Sequence, residues 1–461
     1  MTKQAQTPLQ QENKMRTMPL GRLLLTMAVP LVFSMRVQAL YNVVDSIYVS
    51  RISESAVTAL SLAFPVQNLL IGFAVGLGVG VNALLSKSLG QKNRESVNRT
   101  AGNGLVLMLI VAACFMLFGV VAVGPFFEMQ SDVAETIQGG TVYTRICCVL
   151  CAGVFVQIWG ERLLQSTGRT MLSMLSQSTG AIINIILDPI LIHGWFGLPA
   201  LGIAGAAWAT VIGQWGGALL CLYFNKKHNP DIHFGLGYCG LQKAIVGQIF
   251  AVGIPAVVMN SIGSVMTFGM NQILQGFTET ATSVFGIYFK LQSFFFMPVF
   301  GINNATISII AYNYGAKKPQ RMMSTLKLSM VWTLVVLICG FLAFQFVPDL
   351  LLGMFNPSPA FLEIGRSCLR TISYSFPIAA ICIALGSCFQ ALGNGIYATI
   401  VSLCRQLVVL LPAAYLLSLT GNVNLVWLSF PIAEIASGLA TAFFFVRIYR
   451  QRIKPLFDEP Q

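Results

Sequence analysis

The stretch Gln38-Ala39-Leu40-Tyr41-Asn42-Val43-Val44-Asp45-Ser46-Ile47-Tyr48 places a carboxylate inside an apolar run that extends from Leu23 to Val49. That run is long enough to cross a bilayer as a helix, so Asp45 is expected at membrane depth. Gln38, Asn42 and Asp45 fall at i, i+4 and i+7 and share one helical face, with Tyr41 one turn before Asp45 on its flank. Lipid cannot satisfy such a stripe, so it is expected to face protein or water. The first reading of an intramembrane acid is an ion or proton site. The plainer alternative is an acid neutralised by a neighbour for packing.

The whole chain has this character. Its 461 residues are 56% hydrophobic and 10% charged, with a mean hydropathy of +0.74. Soluble domains carry about 25% charged residues. The composition therefore predicts an all-α polytopic membrane protein whose surroundings are the lipid bilayer. A net charge of +12 could suggest nucleic acid, but the bases cluster in short segments between apolar runs, which argues against that partner. The eleven cysteines give no disulfide framework, and most sit inside apolar runs as small apolar residues do. Cys148-Val149-Leu150-Cys151 has the spacing of a redox motif but lacks a soluble βαβ context, so it reads as packing. The first apolar run is too long for a signal-peptide core and has no convincing cleavage site, so it is expected to be retained.

Apolar runs near 22–50, 56–86, 102–127, 142–165, 170–195, 202–224, 245–275, 281–312, 325–348, 367–391, 395–419 and 423–446 predict twelve transmembrane helices. Charge bias orients them. Lys14, Arg16, Arg22, Lys87, Lys92, Arg94, Arg99, Arg162, Arg169, Lys226, Lys227, Lys243, Lys317, Lys318, Arg321, Arg447, Arg450, Arg452 and Lys454 are all assigned to one side. Glu54, Glu128, Asp132, Glu135, Glu279, Asp349 and Glu363 mark the other, with only Arg51 and Arg366 against them. Cytoplasmic termini in a multi-pass plasma-membrane protein follow as the expectation.

An internal repeat organises the chain. At an offset of 225 residues, without gaps, Pro30 meets Pro255, Glu54 meets Glu279, Gln67 meets Gln292 and Gly76 meets Gly301. Gly90 meets Gly315, Lys92 meets Lys317, Arg145 meets Arg370, Gln165 meets Gln390 and Gly168 meets Gly393. Six spans per repeat give both halves the same orientation and a pseudo-axis along the membrane normal. The expected organisation is a polar segment 1–19, a first lobe 20–224, an inter-lobe loop 225–243, a second lobe 244–447 and a tail 448–461, with a cleft between two pseudo-symmetric six-helix lobes. Pro30 and Pro255 sit early in spans 1 and 7, as fixed kinks or as hinges. Gly72, Gly76 and Gly80 make a small-residue face for close helix packing.

The chemistry-bearing residues concentrate in the first half. In span 5, Asn184 and Asp188 lie one turn apart on one face, and Pro189 follows. Spans 1 and 5 run the same way, so Asp45 and Asp188 come to similar height in one lobe. Protons on such a pair belong to both carboxylates. The pair could hold a proton or Na⁺, with the Asn184 amide oxygen as a neutral ligand. Thr210 and Tyr143 are further candidates by depth, though a lone hydroxyl is more often satisfied by its own helix. At the offset, Asp45 meets Met270 and Asp188 meets Ala413, so the second half lacks the pair. Span 7 instead carries a neutral stripe of Asn260, Ser264, Thr267 and Asn271. Lys290, Arg405 and Glu434 are its deep charges, and a Glu434 ion pair with Arg405 or Lys290 is the economical arrangement. Arg36 is also deep and has no evident partner.

These stretches resemble the multidrug and toxic compound extrusion (MATE) family. The matching residues are Val29-Pro30, Tyr41 to Asp45, Ala63-Phe64-Pro65, Gly90-Gln91, Gln165 to Arg169, Asn184 to Pro189 and Gly205 to Thr210. The resemblance implies an antiporter, not an enzyme, that exports lipophilic or cationic organic compounds by alternating access in exchange for H⁺ or Na⁺. No cofactor beyond the coupling ion is implied, and a monomer is expected. By that likeness Asp45, Asp188, Asn184 and Thr210 match the first-lobe cation site, and Tyr41 and Tyr143 match residues lining its pocket. A second-lobe site is not matched, since no Asp or Glu occurs in 245–275 or 367–391. The alternative cargo is a lipid-linked precursor, moved by a flippase of the related superfamily, for which Arg36, Lys290 and Arg405 would supply a basic groove. A membrane-embedded enzyme is disfavoured: no paired-histidine metal motif or nucleophile elbow is present, and His193, His228 and His233 fall near or in loops.

Overall fold

Inside hydrocarbon a backbone must satisfy itself, and each apolar run does so as a helix. The computed structural model describes residues 13–233, 235–355 and 358–458. Most of the expected segment 1–19, and the last three residues of the tail, lie outside these described residues. Within them the chain is helical, with no strand. Twelve spans cross in order: α1 (Leu20–Ser50), α2 (Glu54–Gly90), α3 (Arg94–Val121), α4 (Ala134–Val149 with Ala152–Ser166), α5 (Thr170–His193), α6 (Ile203–His228), α7 (Lys243–Gln275), α8 (Glu279–Gly315), α9 (Pro319–Phe346), α10 (Pro359–Ser373 with Phe376–Ala391), α11 (Gly395–Leu403 continuing to Leu411–Ser418) and α12 (Ser429–Ile448). Two of them, α4 and α10, are broken, by 45° and 47°.

The 225-residue repeat governs local geometry as well as sequence. Ser53 Oγ caps α2 by accepting from the Ala56 N–H at 3.1 Å, and Thr278 Oγ1 caps α8 from Ala281 at the same 3.1 Å. Lys92 and Lys317 end α2 and α8 in the left-handed region, at φ 56° and 52°. Gly168 and Gly393 both take φ 80° after the broken spans, a conformation that costs glycine nothing. The breaks themselves also correspond. Pro30 frees the Thr26 carbonyl, which accepts from the Thr170 hydroxyl at 3.2 Å. The kink is thus compensated by the neighbouring helix, as a membrane interior requires.

The lobes meet along α1–α8, α2–α7 and α2–α8, where glycine lets backbones touch. A Cβ on Gly90 would overlap the Tyr312 carbonyl, and one on Gly315 would overlap that of Lys87. These are the same contact seen from the two halves. Gly76 against Val257 repeats as Gly301 against Val32. Asn82 Oδ1 accepts from Ser308 at 3.1 Å across the seam, and Asn68 donates to Ser264 Oγ at 3.2 Å. These contacts run from the basic face, where α1 begins and α12 ends, to mid-membrane. Above them Asn42 and Ser46 of α1, Ser61 of α2, Gln272 of α7 and Ser283 of α8 are exposed. The cleft therefore opens toward the acidic face.

The basic face is more ordered than expected. A short helix, Lys14–Thr17, buries Met15, and Arg321 Nη2 donates to the carbonyls of Met15 and Met18 at 3.1 and 2.8 Å. Burial, with the Arg169 guanidinium nearby, holds the Lys14 ammonium below the usual lysine range. The connection after α6 is held by α3, whose Asn103 Oδ1 accepts from the Gln242 N–H at 2.7 Å and whose Asn98 Oδ1 accepts from His233 at 2.8 Å. The expected polar tail is helical to Asp458 and buries Ile453. Gly90→Leu and Gly315→Leu should each hold the basic ends of α2 and α8 apart, to a similar degree. Spin-label distances across that face would lengthen in both variants.

Candidate functional site

The first lobe turns its polar residues inward. α1 packs on α5 and α5 on α6, which brings Asp45, Asp188, Asn184 and Thr210 together as expected. Asp188 is fully buried and Asp45 is 7% exposed. The two carboxylates lie within electrostatic reach of each other, and Tyr41 within reach of both. Asn184 satisfies both ends of its amide in one orientation: its nitrogen donates to Asp188 Oδ2 at 3.3 Å, and its oxygen accepts from the Thr210 N–H at 3.1 Å and hydroxyl at 3.2 Å. The amide oxygen then serves Thr210 rather than a cation. Among the described residues, Oδ1 of Asp45 and Oδ1 of Asp188 are buried with no hydrogen-bond donor. A bare carboxylate oxygen in such surroundings is costly unless a proton or cation neutralises it.

Other predicted residues frame this pair. Tyr143 is buried and accepts from Gln67 Nε2 at 2.9 Å. Gln38 accepts from Gln177 Nε2 at 2.9 Å and lines, with Tyr41, Asn184 and Thr210, a cavity of about 180 Å³. That volume has room for roughly ten waters. Asn42, a candidate for the cleft wall, is on the exposed side of α1. The stripe is wide enough to split, and Asn42 is exposed while Asp45 is buried. In α7, Ser264 is taken by Asn68, Thr267 bonds its own Gly263 carbonyl at 2.9 Å, Asn260 is exposed and Asn271 is half-buried. The neutral stripe is therefore cleft wall rather than a second ion site.

The charges of the second half separate. Arg405 Nη1 pairs with Glu434 Oε2 at 3.5 Å, and Ser437 donates to Glu434 Oε1 at 3.3 Å. Arg405 lies in a π-helical stretch, Cys404–Leu410. Pro412 follows, and its ring forbids an ordinary turn against Val408. Lys290 has no part in the pair. Arg36 stacks its guanidinium over the Phe294 ring at 4.9 Å.

Sequence reasoning missed Glu161 and misplaced Arg162, which was read as a loop base. Both are buried in α4, at 6% and 7% exposure. Gln157 donates to Glu161 Oε1 at 3.0 Å, and Arg162 donates to Gln165 Oε1 at 2.8 Å, at the cavity's other end. The available signal was a charged dipeptide interrupting the run Val154 to Leu164. Among the described residues, no three His, Cys, Asp or Glu side chains gather as a metal cluster.

Two tandem, co-oriented bundles, a cleft between them and buried carboxylates in one wall define a multi-pass membrane transporter rather than an enzyme. The chain belongs to the MatE family, whose model matches residues 30–190 and again 255–416, one match per repeat. It is 26% identical over 430 residues to the FAD transporter of Shewanella oneidensis, covering 93% of this chain and 95% of that one. It is also 26% identical over 430 residues to multidrug export protein MepA of Staphylococcus saprophyticus, covering 92% and 93%. A solved outward-facing conformation of a multidrug resistance MATE family transporter superposes with a TM-score of 0.89 at 22% identity, covering 98% of this chain and 100% of that one.

Removing one partner of the Arg405–Glu434 pair leaves a buried charge. Arg405→Leu should cost about 2–3 kcal/mol, somewhat below a fully buried pair, because Arg405 keeps 27% exposure. Arg405→Leu combined with Glu434→Leu should recover most of it, as read by thermal unfolding in detergent.

Proposed function

We propose that the protein is a secondary active efflux antiporter that exports amphiphilic organic compounds by alternating access, coupled to inward H⁺ or Na⁺. The observation that carries this is a pair of buried carboxylates within electrostatic reach of each other, Asp45 and Asp188, each with one oxygen to which no described group donates. Such a pair is stable with a cation on it and unstable without one, so loading can drive a change of state. We take H⁺ as the first candidate for that cation, because a carboxylate binds it with no further ligand. The relatives named for FAD transport and multidrug export support an organic cargo.

In this reading the lobes 20–224 and 244–447 rock against each other, and the glycine contacts at the basic ends of α2 and α8 part when the cleft opens inward. The chain acts as a monomer in the plasma membrane, with both termini in the cytoplasm. The observed form is open to the outside. Ions entering from outside load Asp45 and Asp188, with Tyr41 and Tyr143 beside them and Pro30 giving α1 its bend. The ion-loaded form returns and releases its charge inside. Asp45→Asn should abolish gradient-driven efflux while leaving membrane insertion intact. Purified protein in liposomes, under separately imposed pH and Na⁺ gradients, is the measurement. Undiminished efflux by that variant would refute the assignment, and a response to Na⁺ alone would reverse the choice of ion.

A further inference from the structure

The span that begins each half is preceded by a polar lead-in segment, and both segments dock on the opposite lobe. The segment before α1 runs from Asn13 to Pro19 and contains the short helix Lys14–Thr17. That helix packs on α8, with Met15 fully buried in one apolar cluster with Ile309 and Tyr312. Arg321, in the first turn of α9, donates from Nη2 to the carbonyls of Met15 and Met18. Both α8 and α9 belong to the second lobe. The segment before α7 mirrors this. Asn103 of α3, in the first lobe, accepts from the Gln242 N–H at 2.7 Å and donates to the carbonyls of Tyr238 and Gly240 at 3.3 and 3.1 Å. A Cβ on Gly102 would overlap the Tyr238 carbonyl, so main chains touch here as well. The helices that do the holding, α3 and α9, are counterparts: their first residues, Arg94 and Pro319, stand at the 225-residue offset.

The first of these segments grips its own lobe too. Asn13 Nδ2 donates to the Thr167 carbonyl at 3.4 Å, in the turn between α4 and α5. The Lys14 side chain lies on that turn: a Cβ on Gly168 would meet Lys14 Cε at 2.7 Å and Met15 Cε at 3.6 Å. One short segment therefore touches Thr167 and Gly168 on one lobe and α8 and Arg321 on the other. These contacts lie on the basic face, with the Gly90–Gly315 contact and the Lys87 ammonium, which sits 5.6 Å from the Tyr314 ring across the seam. Opening that face separates the α4–α5 turn from α8 and α9. A segment bonded to both cannot follow both.

We infer that the lead-in segments of α1 and α7 are paired clasps on the basic face, which hold the form open toward the acidic face and release one lobe before the basic face parts. This inference rests on the alternating-access reading and adds the device that sets its resting state. Each clasp is built from main-chain groups held by a single side chain of the opposite lobe. On release, Arg321 and the carbonyls of Met15 and Met18 meet water at the membrane surface. Protein hydrogen bonds are exchanged there for bonds to water, so the step is cheap and reversible in every cycle.

The full chain in nanodiscs provides the test. Spin labels are carried on genetically encoded amino acids at the exposed positions Lys226, after α6, and Gln451, after α12. Pulsed electron resonance then reports the separation of the lobes on the basic face. The unaltered protein should show mainly one short separation, with a minor longer one. Arg321→Ala and Asn103→Ala should each raise the ratio of longer to shorter about tenfold, and together about a hundredfold. Asn13→Ser keeps a cap for the short helix and drops the bond to Thr167, so it should raise the ratio about two- to threefold. Asn13 is only half-buried, so this variant carries the test if Asn103→Ala does not fold. A longer population that responds to pH but is unmoved, or lowered, by Arg321→Ala and Asn13→Ser would overturn the clasp alone, whatever the change in unfolding midpoint. Absence of any longer population, in every variant and from pH 5 to pH 9, would instead overturn alternating access and the clasp with it.

Discussion

Hydrocarbon offers neither a backbone amide nor a charged side chain anything to bond. Every feature of this molecule follows from where it puts groups that lipid will not accept. Backbones close on themselves as helices. The Thr26 carbonyl, freed by Pro30, is bonded by the hydroxyl of Thr170. Deep acids are turned inside the lobes, and deep cations find a carboxylate, as Arg405 does, an amide oxygen, as Arg162 does, or an aromatic face, as Arg36 does.

The same constraint explains why glycine carries the lobe interface. Between apolar surfaces in a membrane there is no hydrophobic gain from contact, so close approach must supply the attraction. Gly76, Gly90, Gly301 and Gly315 let main chains touch at symmetric points. A contact made of backbone atoms has no rotamers in which to rearrange. It is made or parted as a unit, which suits a contact that closes one face of the cleft.

Much of this was legible in the sequence because hydropathy and the 225-residue offset report directly on burial and symmetry. The twelve spans, the glycine face, the placing of Asp45 and Asp188 in one lobe and the Arg405–Glu434 pair were all readable from residue type and spacing. Three things were not. Asn42 and Asp45 share a broad stripe, and only the packing of α1 against α5 divides it between cleft and lobe. Glu161 and Arg162 looked like a loop edge because α4 is bent, and its second half begins deeper than a straight count places it. The π-helical widening before Pro412 depends on a backbone register that composition does not encode.

The repeat is symmetric in its frame and asymmetric in its chemistry. Met270 and Ala413 stand where Asp45 and Asp188 would recur. One pair of carboxylates can take up at most two unit charges. Each is worth about 2.3 kcal/mol per 100 mV of membrane potential. Two together supply about 4.6 kcal/mol, or a little over three decades of concentration ratio. Under the proposed coupling, that is the ceiling for a carboxylate pair present in one half only, and a second acid pair at 270 and 413 would raise it.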